Sequence, residues 1–355
     1  TLDLLSSSPS GMFWDDLSVW DSLETFEKVW QPTEWNERNY WHLEPALIGM
    51  GSNEEYVDGK KYGLHFDITN DIRYKRFFVR QTLDVDSRYP GDPGYVWKKD
   101  RIAAGRIEEA YMQLGFPYGF FRLGRLKRNW GPFFDRSLIL SSNPHTFDAL
   151  EWQIAGAFFE FRHLFTAFQY ARSDTDTDAG DINRYFTAHS LNFMIGQWAS
   201  FGITETVLFG RRRGYPDFHY LNPFGIYTVT NTNAEGGSGN LNVALQWDIN
   251  PWPEHLSLKG QIVVDDIQVD NEDIHDQEPN HWGGDFGIYW FNPLPLLLEN
   301  SLALEYMYLS KWLYTVPGGL KRNGERYTYL EKSLGYPGND RDRWGIDYRI
   351  IGKKY

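Results

Sequence analysis

The sequence contains no cysteine among its 355 residues, and it contains no uninterrupted apolar run of the ~18 residues that a transmembrane helix needs. Without cysteine, a disulfide framework and thiolate chemistry are excluded. The formal net charge of -13 leaves no broad basic surface that would replace phosphate counterions, which argues against a nucleic-acid partner. Residues 1–10 show neither the basic nor the apolar region of a signal peptide, so an exported protein would begin here at or after its cleavage site.

Aromatic residues, by contrast, are abundant: the chain has 15 Trp, 22 Tyr and 24 Phe, although its mean hydropathy is -0.53. A transmembrane β-barrel reconciles these two facts because alternate residues face lipid, the others line a polar lumen, and Trp and Tyr form girdles at both interfaces. A soluble β-sandwich or propeller with aromatic repeats is the alternative.

Apolar and polar residues alternate in stretches of about ten residues, the length that crosses a bilayer at a tilt. The alternation is clearest in residues 241–249, 256–265 and 302–308. Including less regular stretches and strands near 41–50 and 343–351, the pattern predicts about fourteen strands, an even number typical of bacterial barrels. The other predicted strands are residues 61–69, 73–85, 106–116, 117–128, 149–158, 162–172, 184–196, 199–209 and 283–291.

Short and long connections also alternate along the chain, as they do in outer-membrane barrels with short periplasmic turns and long external loops. The predicted tight turns are residues 69–71, 116–119, 159–163, 197–200, 250–254 and 292–296. The predicted long polar loops are residues 86–105, 129–148, 173–183, 210–238, 266–282 and 310–342, the longest of which have room for a further hairpin.

Residues 1–40 follow a different pattern, since Phe13, Leu17, Trp20 and Leu23 recur at three- and four-residue steps. The sequence therefore predicts short periplasmic helices in residues 1–40, or a simple N-terminal arm, followed by a barrel in residues 41–355. The basic tail ends without a terminal aromatic, and we expect the natural chain to continue. The predicted fold class is all-β: an antiparallel up-and-down transmembrane β-barrel of about 14–18 strands.

One segment carries a family resemblance. Gly124-Arg125, then Trp130-Gly131-Pro132, then a serine- and asparagine-containing run in residues 137–143 resembles the Wzi family of outer-membrane capsule-assembly lectins. Residues 220–223 and 334–340 also resemble this family. The resemblance implies a monomeric barrel of more strands than we count, closed by periplasmic helices, which binds capsular or other surface polysaccharide at its external face.

The same segment offers the chemistry of sugar binding, which needs flat aromatic faces and planar polar groups. We predict an external ligand-binding loop in which arginines meet acidic sugars through paired hydrogen bonds. Its candidates are Arg125, Arg128, Trp130, Arg136, Ser141 and Asn143. Alternatively, Trp130-Gly131-Pro132 folds this loop inward, with Arg128 paired to lumen acids such as Glu109 and Glu151.

Two charged runs are further candidates. Arg211, Arg212 and Arg213 begin the next long loop, where they would grip an anionic glycan or lipid head groups, or pair with acidic loops. Asp174, Asp176 and Asp178 alternate in a way that suits calcium, although the distal bidentate Glu of an EF-hand is missing and a solvated loop has the same composition. We assign no other cofactor and no other metal.

No nucleophile lies beside a base in a known motif, so we predict that the protein is not an enzyme. The expected partners are surface polysaccharide and outer-membrane lipid or lipopolysaccharide, with the protein acting as a monomer or as a subunit of an envelope complex. Two other functions stay open: a passive pore or transporter, and a scaffold subunit whose loops bind protein. A pore would be lined by Arg76, Arg80, Glu109, Tyr111, Gln113, Arg122 and Glu151.

Overall fold

A computed structural model of the chain describes residues 39–56, 60–91, 95–98, 104–133, 136–171, 182–211, 215–233, 239–266, 280–294, 298–315 and 324–351. The described residues fall into two compact units. The smaller unit holds residues up to Lys127 together with His145–Trp152. The larger unit holds Arg128–Pro144 and the residues from Gln153 onward. The predicted N-terminal helices lie outside the described residues.

The smaller unit is a meander of long antiparallel strands, each paired with the next along the chain. Its strands are β1 (Tyr40–Tyr56), β2 (Lys60–Tyr74), β3 (Phe77–Asp86), β4 (Ala104–Phe116) and β5 (Gly119–Leu126). Strand β6 (Phe147–Ala155) contributes residues to both units.

The larger unit continues the same antiparallel pattern. Its long strands are β7 (Phe159–Ala171), β8 (Ile182–Ile195), β9 (Ala199–Arg211), β10 (Asn240–Trp252), β11 (Leu256–Asp266), β12 (His281–Phe291), β13 (Glu299–Leu309) and β16 (Arg341–Ile351). A two-stranded hairpin, β14 (Thr328–Tyr329) and β15 (Lys332–Ser333), lies between β13 and β16. The longest predicted loop therefore does contain a hairpin.

Two short helices occupy the connection between β9 and β10: α1 (Phe218–Leu221) and α2 (Tyr227–Thr232). Among the described residues, no helix has both the length and the apolar character needed to span a membrane.

The strands have the opposite polarity from those of a water-soluble protein: their exposed face is apolar and their covered face is polar. On β12, Phe286, Ile288 and Trp290 are 37–43% exposed, whereas Asp285, directly before Phe286, is 2% exposed. On β10, Leu245 is 54% exposed and Asn242 is fully buried. Because successive side chains of a strand point to opposite faces, this pattern defines a polar face and an apolar face for each strand. It agrees with the alternation in the sequence and is typical of strands that face lipid.

Strand positions agree closely with the sequence prediction, but two turns were misplaced. Residues 69–71 were predicted as a turn, yet they belong to β2, and the turn lies at Lys75 and Arg76. Asp71 is buried and accepts two hydrogen bonds from Arg80, so a residue typical of turns serves here as a partner on the polar face. Arg76, expected to line a pore, therefore lies in a turn. Similarly, the turn predicted at residues 159–163 lies at residues 156–158.

Candidate functional site

The connection between β5 and β6 carries most of the predicted ligand-binding residues. Its described part in the larger unit, residues 128–133 and 136–143, is called the inner connection here because it lies on the polar face of the strands. Trp130 is 4% exposed, and Leu138, Ile139 and Leu140 are at most 1% exposed. The backbone N–H of Trp130 donates to Leu140 O over 2.7 Å, which folds the connection on itself. The inward-folded alternative is therefore the one that the structure adopts.

Arg136 fixes this connection to two strands through charge. Its guanidinium donates from Nε to Asp285 of β12 over 2.9 Å, and lies 2.7 Å from Glu305 of β13. Burial alone would lower the pKa of Arg136, but the two carboxylates outweigh it and raise the pKa above its ordinary value. The side chain is only 14% exposed and lies over the ring of Phe133. Charge-assisted hydrogen bonds of this kind are the strong ones in a protein interior.

Polar side chains satisfy the remaining backbone groups of the inner connection. The amide of Leu138 donates to Gln261 Oε1 of β11 over 2.6 Å, while Gln261 Nε2 donates to Trp130 O. Tyr327 Oη, from the β13–β16 connection, donates to Ile139 O over 2.6 Å. Burial raises the pKa of Tyr327, so this phenol remains a donor.

The end of the inner connection is held by β15 and by the segment that follows it. Ser141 Oγ donates to Gly335 O over 2.7 Å, and Asn143 Nδ2 donates to Ser333 O over 2.9 Å. A side chain at Gly335 would meet Leu138 O at 2.5 Å, so this close approach requires glycine. Trp130, Arg136, Ser141 and Asn143 thus meet protein groups.

The other predicted arginines are also engaged. Arg125 of β5 pairs with Asp148 over 2.6 Å, in the smaller unit. Arg128 is 5% exposed. Glu151, predicted as its partner, lies 3.6 Å from Arg122. Arg211 pairs with Asp217 over 2.5 Å, within its own connection. Arg212 and Arg213 lie outside the described residues, as do the calcium candidates Asp174, Asp176 and Asp178.

The smaller unit contains a group of aromatic rings that the sequence analysis did not single out. Tyr89, Tyr95, Trp97 and His145 form a continuous series, called the aromatic ladder here, with ring centroids 4.8, 5.3 and 4.9 Å apart. Arg106 lies over the rings of Tyr89 and Trp97. Tyr95 is buried, whereas Tyr89 and Trp97 are half-buried. The available signal was the interleaving of aromatic and basic residues in 88–101.

Beside the ladder, His65, Asp67 and Asp84 bring ligand atoms within 4.8 Å of one another, a spacing at which they could hold a cation. His65 Nε2 lies 2.6 Å from Asp67, and Arg106 lies 3.5 Å from Asp84. Arg106 offsets part of the negative charge, so these side chains also contact one another without a metal.

The connection between β9 and β10 folds onto the opposite face of the strands. Residues 215–233 are called the outer segment here because Tyr227 and Tyr220 pack against Val207 and Phe209 on the apolar face of β9. The sequence predicts a polar external loop here, but the described part lies along the strands instead. Successive side chains of β9 point to opposite faces of the sheet. Thr206 contacts Tyr327 on the inner side, whereas its neighbour Glu205 contacts the outer segment, so the outer segment lies on the other face.

Glu205 holds the start of helix α2. Its carboxylate accepts the backbone N–H groups of Tyr227 over 2.9 Å and Thr228 over 3.2 Å, and also the hydroxyl of Thr228. His189 of β8 lies 2.8 Å from the same carboxylate, and its ring stacks on Tyr227 with centroids 4.1 Å apart. The first N–H groups of a helix have no partner within the helix, so a carboxylate from a neighbouring strand stabilises them.

Comparison with known proteins adds a family and a fold. The model of the family "Capsule assembly protein Wzi" matches residues 58–318. None of the curated proteins compared matches the chain. Among solved structures, the chain is similar to Wzi of Escherichia coli, an outer-membrane protein involved in group 1 capsule assembly and described as a carbohydrate-binding β-barrel. The identity is 13%, with 95% of this chain and 71% of that chain covered and a TM-score of 0.57.

Two further likenesses are weaker. The outer-membrane protein OmpT of Vibrio cholerae is 9% identical, with 87% of this chain and 95% of that chain covered and a TM-score of 0.35. OccK5 of Pseudomonas aeruginosa is 12% identical, with 76% and 90% covered and a TM-score of 0.27. Only the likeness to Wzi is strong enough to support a conclusion about fold. With the family match, it confirms the resemblance predicted from the sequence.

Proposed function

Because the chain belongs to the capsule assembly protein Wzi family, we propose that it is an outer-membrane β-barrel that binds and organises surface polysaccharide and catalyses no reaction. The observation that carries this proposal is the family match over residues 58–318. The fold likeness to a carbohydrate-binding barrel supports it. The strands support the location, since an exposed apolar face and a covered polar face suit a lipid surround.

The proposal includes the finer architecture expected from the sequence. In this architecture, the long strands close into a barrel of about 14–18 strands, and their polar face lines the lumen. Residues 1–40 form periplasmic helices, and residues 41–355 form the barrel. The alternation of short turns with long connections supports this orientation, with the long connections at the cell surface.

Within this function, the aromatic ladder is the surface best suited to a glycan. Half-buried Tyr89 and Trp97 offer ring faces for the apolar side of a pyranose. The exposed Lys98 beside them suits the carboxylates of an acidic polysaccharide, whereas Arg106, which lies over the same rings, pairs with Glu108 over 2.7 Å. These groups lie in and beside the long connection between β3 and β4, on the side assigned to the cell surface.

The residues predicted as ligand contacts take a different role in this proposal. Trp130, Arg136, Ser141 and Asn143 hold the inner connection on the polar face, because their polar groups bond to the protein. Arg125 and Arg211 stabilise neighbouring carboxylates. Arg212 and Arg213 remain candidates for an anionic glycan.

The pore alternative receives less support, since in the larger unit the inner connection covers part of the polar face that would line a passage. Gln261 and Asp285, which would otherwise face that passage, are both bonded to it. The scaffold alternative makes no use of the aromatic ladder, and the binding experiment below separates it from the lectin function.

The test is binding of purified, detergent-solubilised protein to the host's own extracted surface polysaccharide. We expect saturable binding by the wild type and a loss of at least tenfold in affinity for Trp97→Ala, because stacking area is removed. Trp198→Ala is the matched control: Trp198 is 53% exposed but lies in a short turn at the other end of its strands.

Circular dichroism and heat-modified electrophoretic mobility establish that each variant is folded. Absence of binding by folded wild type would overturn the polysaccharide function and favour the scaffold. Equal weakening by the two substitutions would retain the function but remove the ladder as its site.

A further inference from the structure

The outer segment exposes large apolar side chains although it belongs to a connection expected to lie in water. Its exposed apolar residues, with their exposed fractions, are Tyr215 (87%), Phe218 (80%), Phe224 (76%), Ile226 (61%) and Val229 (51%). Of the 19 residues in 215–233, one is formally charged: Asp217, which pairs with Arg211. Across the whole chain, charged residues make up 23%.

The segment lies alongside the strands rather than beyond their ends. Glu205, which binds the start of α2, is six residues from the end of β9 at Arg211, a distance of about 20 Å at ~3.3 Å per residue. Phe224 reaches further and stacks on Phe161, with ring centroids 5.6 Å apart. Phe161 is two residues from the start of β7, near its short-turn end. The segment therefore covers a large part of the ~25 Å apolar band of a barrel wall.

The exposed side chains of the segment continue the apolar surface of the neighbouring strands. The strand residues of this surface are Phe193, Ile195, Phe201, Ile203 and Leu245, all 41–59% exposed. The exposed groups that matter here are mainly phenylalanine and aliphatic side chains, which have no polar atom for a sugar hydroxyl. A hydrocarbon environment matches them better than a glycan does.

The first two backbone N–H groups of α2 have the partners that such an environment requires. In hydrocarbon, every backbone polar group needs a partner within the protein. Glu205 accepts the N–H groups of Tyr227 and Thr228, and the hydroxyl of Tyr227 bonds to Thr187 over 2.9 Å. Glu205 and His189, which would be costly on a bare lipid-facing wall, are in turn covered by the segment.

From this geometry we infer that the outer segment is embedded in the membrane along the barrel wall and that its exposed face contacts the acyl chains of the membrane lipids. It forms an extra layer on the barrel wall rather than a loop in water. The inference rests on the proposed outer-membrane location and goes beyond it, because it assigns a lipid-binding surface to a connection between strands.

The absence of cysteine from the chain makes a direct test possible, since each introduced cysteine is the only one. Full-length Phe224→Cys and Val229→Cys are labelled with a nitroxide in reconstituted lipid bilayers. Collision with oxygen, which concentrates in lipid, is compared with collision with a water-soluble nickel chelate. We expect oxygen collisions to exceed nickel collisions at both positions by severalfold.

Two reference positions calibrate the collision measurement, one for lipid and one for water. Ile203→Cys reports on the apolar face of β9, and Glu331→Cys reports on water, since the Glu331 side chain is 80% exposed between β14 and β15. Nickel access at Phe224 and Val229 with lipid access at Ile203 would overturn the inference and point to a water-facing glycan or protein surface.

Exclusion of both reagents at Phe224 and Val229 would also overturn it, in favour of contact with a second protein. Nickel access at Ile203 itself would instead contradict the membrane location, so failure of the inference and failure of the proposed function give different results. Circular dichroism checks the fold of each labelled variant.

Discussion

The inner connection and the outer segment fold back onto opposite faces of the same sheet, the first over β11 to β13 and the second over β7 to β9, and they satisfy their polar groups in different ways. The inner connection is held by many partners, among them Gln261, Asp285 and Glu305, which come from three different strands. The outer segment depends mainly on one carboxylate, Glu205. Glu205 is a charged residue on the apolar face of β9, and it lies where the outer segment covers that face.

The two regions also differ in how much apolar surface they expose to their surroundings. The centre of the inner connection, residues 138–140, is essentially inaccessible, so this region serves packing and closure. The outer segment buries Tyr220 and Tyr227 but keeps an apolar surface toward its surroundings. We therefore expect the inner connection to unfold with the strands and the outer segment to detach separately.

The largest effect should follow from removing the charge of the inner connection. Arg136→Met leaves Asp285 and Glu305 buried without their cation, which we expect to cost about 3–5 kcal/mol of unfolding free energy. Chemical denaturation in detergent measures the loss. Adding Asp285→Asn and Glu305→Gln to the same variant should recover most of it. A loss below about 1 kcal/mol for Arg136→Met would show that the ion group does not anchor the connection.

An intermediate effect, confined to the outer segment, is expected for Glu205→Ala. Hydrogen bonds to a charged group contribute about 1.5–3 kcal/mol each, so the start of α2 should open. Hydrogen exchange at the amides of Tyr227 and Thr228 should accelerate at least tenfold, while the amide of Leu138 keeps its protection.

Glu205→Gln, which retains one acceptor oxygen, is the matched control and should show a smaller acceleration. Equal acceleration at Leu138 would mean that the two regions open together, against the separation drawn above.

The smallest effects come from removing a single phenol oxygen in each region. Tyr327→Phe removes the buried hydrogen bond to Ile139 O and one of the two hydrogen bonds of the Thr206 hydroxyl, and it should lower the unfolding free energy by about 1–2 kcal/mol. Tyr220→Phe removes one bond to Asn231, which is partly exposed to solvent, and should cost about 0.5–1 kcal/mol. Denaturant midpoints of the pair measure both losses, and the reverse order would contradict the comparison.

Much of the strand arrangement was predictable because the signal is local. Strands β10, β11 and β13 alternate residue by residue, and their observed bounds enclose the predicted ones with at most three further residues at either end. A turn was misplaced where a polar residue suits both a turn and the polar face of a strand. Asp71 suits a turn, but it pairs with Arg80 nine residues away, and that partner is not evident from the neighbouring sequence.

The candidate site was less predictable for the same physical reason. Trp130, Arg136 and Asn143 have the chemistry of a sugar site, and the same chemistry suits a connection bonded to its own strands. Arg136 meets Asp285, 149 residues later, and Asn143 meets Ser333, 190 residues later. The aromatic ladder was missed although Tyr89 and Trp97 lie in one connection, because the stacking of their rings and the addition of His145 from another connection depend on the folded chain.

The sequence by itself determined the alternating strands, the order of short and long connections, and the family, since each depends on residues close together in the chain. Only the tertiary structure decided that the inner connection covers part of the polar face and the outer segment part of the apolar face. That choice depends on which distant strand offers the matching polar partner, Gln261 and Asp285 in one case and Glu205 in the other. A backbone polar group removed from water must find such a partner wherever the fold provides it.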